Sequence, residues 1–122
     1  MEQIRAASAL AAAKAIGEAR GHGGDQLSGY HSLIITNGLL ATLAYSADKG
    51  GECKLIAESL IAHLADLQQK KLFPGTPLSG KLLGAIRSIS STASPGLLAM
   101  MTDECMAYLN YLKRFVRALN KQ

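Results

Sequence analysis

The chain has 122 residues, a formal net charge of +4, 48% hydrophobic residues, 18% charged residues and no tryptophan. That length gives one domain with a real core, and residues 1–122 read as a single helical domain. Abundant Ala and Leu with 5% aromatics argue against a β-sandwich. No apolar run reaches the roughly 18 to 20 residues of a membrane span. A pI of about 9.2 allows a polyanionic partner without demanding one.

The first predicted helix runs from Glu2 to Arg20, with Ile4, Ala7, Leu10 or Ala11, and Ile16 on its apolar side. Glu2 before Arg5, and an alanine-rich stretch broken by Lys14, do not make a signal peptide. Gly21-His22-Gly23-Gly24 then reads as a linker, since it lacks the strand and spacing of a phosphate loop. A second helical region extends from about Ser28 to Lys49, with Leu33, Ile34, Asn37, Leu40, Leu43 and Ala44 at helical spacing and Gly38 inside it. A glycine within a helix costs about 1 kcal/mol relative to alanine. The expectation is therefore a close neighbour at Gly38 and an Asn37 side chain that satisfies a backbone group at the bend.

Gly50-Gly51 stops that helix, and Glu52 to Lys70 forms the third, with Leu55, Ile56, Ser59, Leu60, His63, Leu64 and Leu67 inward. The segment Leu72-Phe73-Pro74-Gly75-Thr76-Pro77 cannot continue it. A fourth, shorter helix spans roughly Ser79 to Ser90 through Leu82, Leu83, Ile86 and Ile89. The last runs from about Ser94 to Leu119, capped by Ser94 with Pro95 at its first position. Met101, Cys105, Tyr108, Leu112, Phe115 and Leu119 stack on one stripe, extended by Leu98 and widened by Leu109 and Val116. Another face carries Lys113, Arg117 and Lys121, with Arg114 beside them. No alternating strand pattern bounded by turns occurs. The prediction is all-α: a compact bundle of about five to six helices with a long C-terminal helix.

Catalytic constellations are poorly supported. Gly75-Thr76-Pro77-Leu78-Ser79-Gly80-Lys81-Leu82 has the glycine and lysine spacing of a P-loop, but Leu82 stands where a hydroxyl must reach Mg²⁺. No hydrophobic strand precedes it. His22, His31 and His63 share no ligand spacing with one another or with Cys53 and Cys105. The two cysteines read as reduced core or surface thiols in a cytoplasmic protein, and Cys105 lies within the core stripe, where thiols are inert. Neither an enzyme nor a cofactor is expected.

Two stretches together resemble a known family. Leu33-Ile34-Ile35-Thr36-Asn37-Gly38-Leu39-Leu40-Ala41-Thr42-Leu43-Ala44-Tyr45, ending at Lys49, resembles the signature helix of the small helical subunit of CRISPR type III-B (Cmr) effector complexes. The tail Thr102-Asp103-Glu104, Tyr108-Leu109 and Leu112-Lys113-Arg114-Phe115 resembles that family's last helix, and Arg5-Ala6 through Ala9 its first. About half the chain carries the match, and Cys53 to Pro95 carries little of it.

The resemblance implies a non-catalytic, cytoplasmic subunit of an RNA-guided antiviral complex. Its partners would be the guide RNA–target RNA duplex, other Cmr complex subunits and further copies of itself, with no membrane. Lys113, Arg114, Arg117 and Lys121 are the leading RNA-contact candidates, followed by Arg5, Lys14, Lys49 and Arg87. Arg5 and Lys49 fall on matching family positions. Such a protein need only recognise backbone charge and shape, because guide pairing supplies specificity. Two other readings stand beside it: a DNA-binding helical regulator, and a protein-binding scaffold whose basic stripe meets acidic partners.

Overall fold

The computed structural model describes residues 1–20 and 25–120, with side chains for 1–17 and 27–119. The expected linker at Gly21–Gly24 lies outside the described residues. Six helices follow one another among the described residues, without a strand: α1 (Glu2–Arg20), α2 (Asp25–Asn37), α3 (Leu39–Lys49), α4 (Gly51–Gln69), α5 (Leu82–Thr92) and α6 (Pro95–Asn120). The all-helical prediction and the long final helix hold.

α6 starts where the sequence places it. The Ser94 hydroxyl accepts a hydrogen bond from the Leu97 N–H at 3.1 Å and satisfies one of the donors a helix leaves open at its start. Met101, Cys105, Tyr108, Leu109, Leu112 and Val116 are buried, while Phe115 and Leu119 pack at the edge of the core. The buried stripe thus drifts toward Leu109 and Val116 along the helix. α6 lies alongside α1, and α4 touches each of the other five helices. Cys53, Ile56, Ala57, Leu60, Ile61, Leu64 and Leu67 of α4 all enter the core. That spread exceeds the single stripe of a surface helix. α4 is the central element.

α1 turns the expected Ile4 and Ile16 inward, but not the residues expected between them. Ala9, Ala13 and Ile16 are buried and Ile4 and Ala12 partly so, whereas Ala7, Leu10 and Ala11 are exposed. The buried set lies on the same stripe as Arg5, which reaches Glu104 of α6. In an alanine-rich helix hydrophobicity barely distinguishes the faces, and the polar tie fixes the rotation.

The second predicted helix is two. Gly38 (φ 88°, ψ 162°) separates α2 from α3 and serves as the first residue before α3. A Cβ at Gly38 would meet nothing within 4 Å, so backbone conformation, not a close neighbour, requires glycine here. Asn37 is exposed. A run of hydroxyls stitches the break: Thr42 Oγ1 donates to the Gly38 carbonyl at 2.8 Å and Ser46 Oγ to the Thr42 carbonyl at 2.8 Å. With the Ser46 proton used in this way, the 2.6 Å contact to Tyr30 is a bond donated by the Tyr30 phenol. Tyr30, Leu39, Thr42 and Ser46 are buried, although none of them is among the residues predicted to face inward.

α5 begins at Leu82, later than the predicted Ser79, and its Leu83 faces solvent at 66% exposure while Ala85 and Ile89 are buried. The loop before it is pinned by one amide. Gln68 donates to the Pro74 carbonyl at 3.0 Å and accepts from the Leu78 N–H at 3.1 Å, and Phe73 and Leu78 anchor the loop ends in the core. Gly75 has φ 102°, and a Cβ there would sit 2.8 Å from the Gln68 amide nitrogen.

Replacing Gly38 with alanine should destabilise the protein by about 1–3 kcal/mol in urea unfolding, the cost of forcing a side chain into this backbone region. Gly29→Ala, inside α2 where a Cβ also meets nothing, should be neutral or stabilising. Equal effects of the two substitutions would contradict the assignment of Gly38 to backbone conformation.

Candidate nucleic-acid interface

The eight candidate cations occupy different environments. Arg114 and Arg117 of α6 are exposed and Lys113 is half-buried, while Lys121 lies outside the described residues. Lys113 and Arg117 share a helical face, one turn apart. No ion pair among the described residues engages Lys113, Arg114 or Arg117. Arg114 joins Ala107, Asn110 and Tyr111 around a depression of about 390 Å³. The Tyr111 phenol is committed elsewhere, donating to Glu2 of α1 at 2.8 Å.

Beside this face, His31 of α2 contacts the Met106 carbonyl of α6 through Nε2 at 3.2 Å. Since a carbonyl can only accept, Nε2 carries the proton. Burial lowers the His31 pKa, and the nearby Lys113 charge lowers it further, against the pull of the Met106 bond. Lys113 is therefore held close to the α2–α6 seam.

Arg5 is built into the fold. Its Nε and Nη2 bind the two oxygens of Glu104 at 2.7 and 2.8 Å, a bidentate pair. Glu104 is 6% exposed and also meets His63 Nε2 of α4 at 2.9 Å. The His63 ring stacks on Tyr108, with centroids 4.5 Å apart. One carboxylate thus ties α1, α4 and α6 together. Burial alone would raise the Glu104 pKa, but the bonds from Arg5 and His63 outweigh it and leave the group below its ordinary value. Burial lowers the His63 pKa despite Glu104. Its Nδ1 is buried without a hydrogen-bond partner. A neutral ring that donates from Nε2 to Glu104 suits both atoms; a second proton, on Nδ1, would face the core unpaired.

The remaining candidates are exposed. Lys14 lies on α1, and Lys49, at the end of α3, places Nζ 5.7 Å from the centre of the Tyr45 ring. Arg87 of α5 lines a cleft of about 520 Å³ together with Lys54 of α4 and Lys81. Sequence reasoning passed over Lys54 and Lys81 as binding residues. The signal lay in Lys81 and Arg87 six residues apart at a helix start, but Lys54 joins them only through the tertiary fold.

Among the described residues no group of three or more His, Cys, Asp or Glu side chains could hold a metal ion; His22 lies outside them. Cys53 and Cys105 are buried and in no disulfide, and burial raises the pKa of both thiols. Residues 70–81 separate α4 from α5, too long a connection for a helix-turn-helix. No helix is long and apolar enough to cross a membrane among the described residues.

Fold and surface together define a small all-helical protein that, among the described residues, displays exposed cations on α1, α3, α4, α5 and α6 around an apolar core. A family model for the CRISPR-associated protein Cas_Cmr5 matches residues 1–119. The chain belongs to that family and is a small subunit of the CRISPR type III-B Cmr complex. No curated protein and no solved structure matches it.

Glu104→Gln should cost about 2–3 kcal/mol in urea unfolding. That is below the range for fully buried pairs, because the Arg5 side chain remains 25% exposed. The pH dependence has a definite sign. Folded His63 and His31 bind a proton less readily than in the unfolded chain, where the ordinary value is 6.5. Stability is full above that value and declines as the pH falls through it, with a further decline below 4.5 as Glu104 protonates. His63→Gln should shrink the loss between pH 7 and 5.5. A loss as large as that of the wild type would exclude His63 as its source.

Proposed function

We propose that the chain is a non-catalytic subunit that binds the sugar–phosphate backbone of the guide–target RNA through the C-terminal half of α6, and that further copies of it stack along the same duplex beside other Cmr subunits. The observation that carries this reading is the set Lys113, Arg114 and Arg117, three cations on one rigid helix with no carboxylate partner among the described residues. Lys and Arg on a preformed helix suit phosphate contacts that position a protein without reading bases. Lys14 and Lys49 are exposed secondary candidates. Arg5 is not proposed as a contact, since its guanidinium already serves Glu104.

A single copy with so few contacts binds weakly, and repeated copies on one RNA supply the affinity through effective concentration. Antiviral defence in the cytoplasm follows from this role.

The test is retention of target RNA by the assembled complex across a salt series, with wild type and a Lys113→Ala/Arg114→Ala/Arg117→Ala variant. The variant should bind more weakly, with the log–log salt slope reduced by about 0.7–0.9 per lost phosphate contact. An unchanged slope with the subunit still assembled would remove these residues from the RNA surface. Loss of the subunit from the complex would identify the face as a protein interface instead.

A further inference from the structure

We infer that the cleft between α4 and the start of α5 is a second backbone-binding surface, which takes RNA phosphates on Lys54, Lys81 and Arg87. This rests on the RNA-binding reading above and adds to it a surface separate from α6. Lys54 and Glu58 stand four residues apart on one face of α4, while Lys81 and Arg87 reach the cleft from the other side. All four are exposed, and no ion pair among the described residues engages them. The cleft therefore holds three cations against one carboxylate. Left empty, like charges around one concavity repel; an anion between them removes that cost.

The lining points to phosphate in preference to base. No aromatic side chain contributes to it, so it offers no stacking platform for a base. Gly84, between Lys81 and Arg87, has no side chain, and the Ser79 side chain packs there: a Cβ at Gly84 would sit 3.1 Å from the Ser79 hydroxyl oxygen. The Ser79 hydroxyl oxygen accepts from the Lys81 N–H at 3.2 Å, which leaves its own proton free to donate to a phosphate oxygen. The Ser79-Gly80-Lys81 portion of the P-loop-like stretch thus gains a role in anion binding that needs neither a nucleotide nor a metal. Helix α4, not a strand, precedes this loop. The cleft has a volume of about 520 Å³.

The experiment uses the full chain, a 20-nucleotide oligouridylate and fluorescence anisotropy over a low-salt titration series, with circular dichroism on every variant. Lys54→Gln/Lys81→Gln/Arg87→Gln should lower the log–log salt slope by about 2, the loss of three single-strand contacts at about 0.7 each. Glu58→Gln, which removes the cleft's carboxylate and leaves its cations intact, should tighten binding and keeps the inference testable should the triple variant unfold. A triple variant that keeps the wild-type slope, while Lys113→Gln/Arg114→Gln/Arg117→Gln loses slope, would overturn the cleft and leave the α6 reading standing. No binding by the wild type at low salt would overturn both. Poly-glutamate captured through the three cleft cations, with oligouridylate binding unchanged by their removal, would overturn the inference in favour of an acidic protein partner.

Discussion

A carboxylate taken out of water needs compensation on all sides, and Glu104 obtains it from two other helices. Arg5 of α1 grips both its oxygens, and His63 of α4 contacts one of them while stacking on Tyr108. An isolated buried carboxylate would be strongly unfavourable, so Glu104 sits comfortably only when α1, α4 and α6 are docked in one arrangement. The aliphatic core around Leu60, Leu64, Leu109 and Leu112 supplies most of the driving force for burial. It does not by itself choose the rotation of an alanine-rich α1. The ion cluster does.

The same arrangement sorts the protein's cations. Arg5 turns inward and is consumed by the fold, whereas α6 keeps Arg114 and Arg117 exposed alongside its buried Leu112 and Val116. A second set converges at the α4–α5 cleft because the Gln68-pinned loop returns the chain to α4 just before Lys81. One helix can thus complete the core with one stripe and display charge with another, without either disturbing its neighbour. The helical periodicity of α6 makes that separation possible.

Much of this was legible in the sequence because it is local. The Ser94-Pro95 start, the α6 stripe, the Gly50-Gly51 break and the proline-rich loop each follow from a few adjacent residues, and each is found in place. What could not be read is what depends on partners far along the chain. Arg5 and Glu104 are separated by 99 residues and His63 and Glu104 by 41, so an arginine that the sequence offers as an RNA-contact candidate is instead a partly buried tie between helices. On α1 the sequence places Ile4 and Ile16 correctly but favours Leu10 over Ala9 and Ala13, because leucine outweighs alanine in hydrophobicity. Gly38 was expected to make room for a neighbour; its positive φ breaks the helix instead. Among the proposed contacts, the cations of α6 are visible from spacing alone, while Lys54 requires the fold to bring it to Lys81 and Arg87.

The most direct measurement is photo-crosslinking of the assembled complex on target RNA carrying 4-thiouridine, with the attached peptides mapped by mass spectrometry. The account predicts crosslinks in the α6 segment around Lys113–Arg117, and none at Arg5 or Glu104, whose side chains close on each other. Crosslinks confined to the N-terminal half of α1, with α6 unmarked, would contradict it.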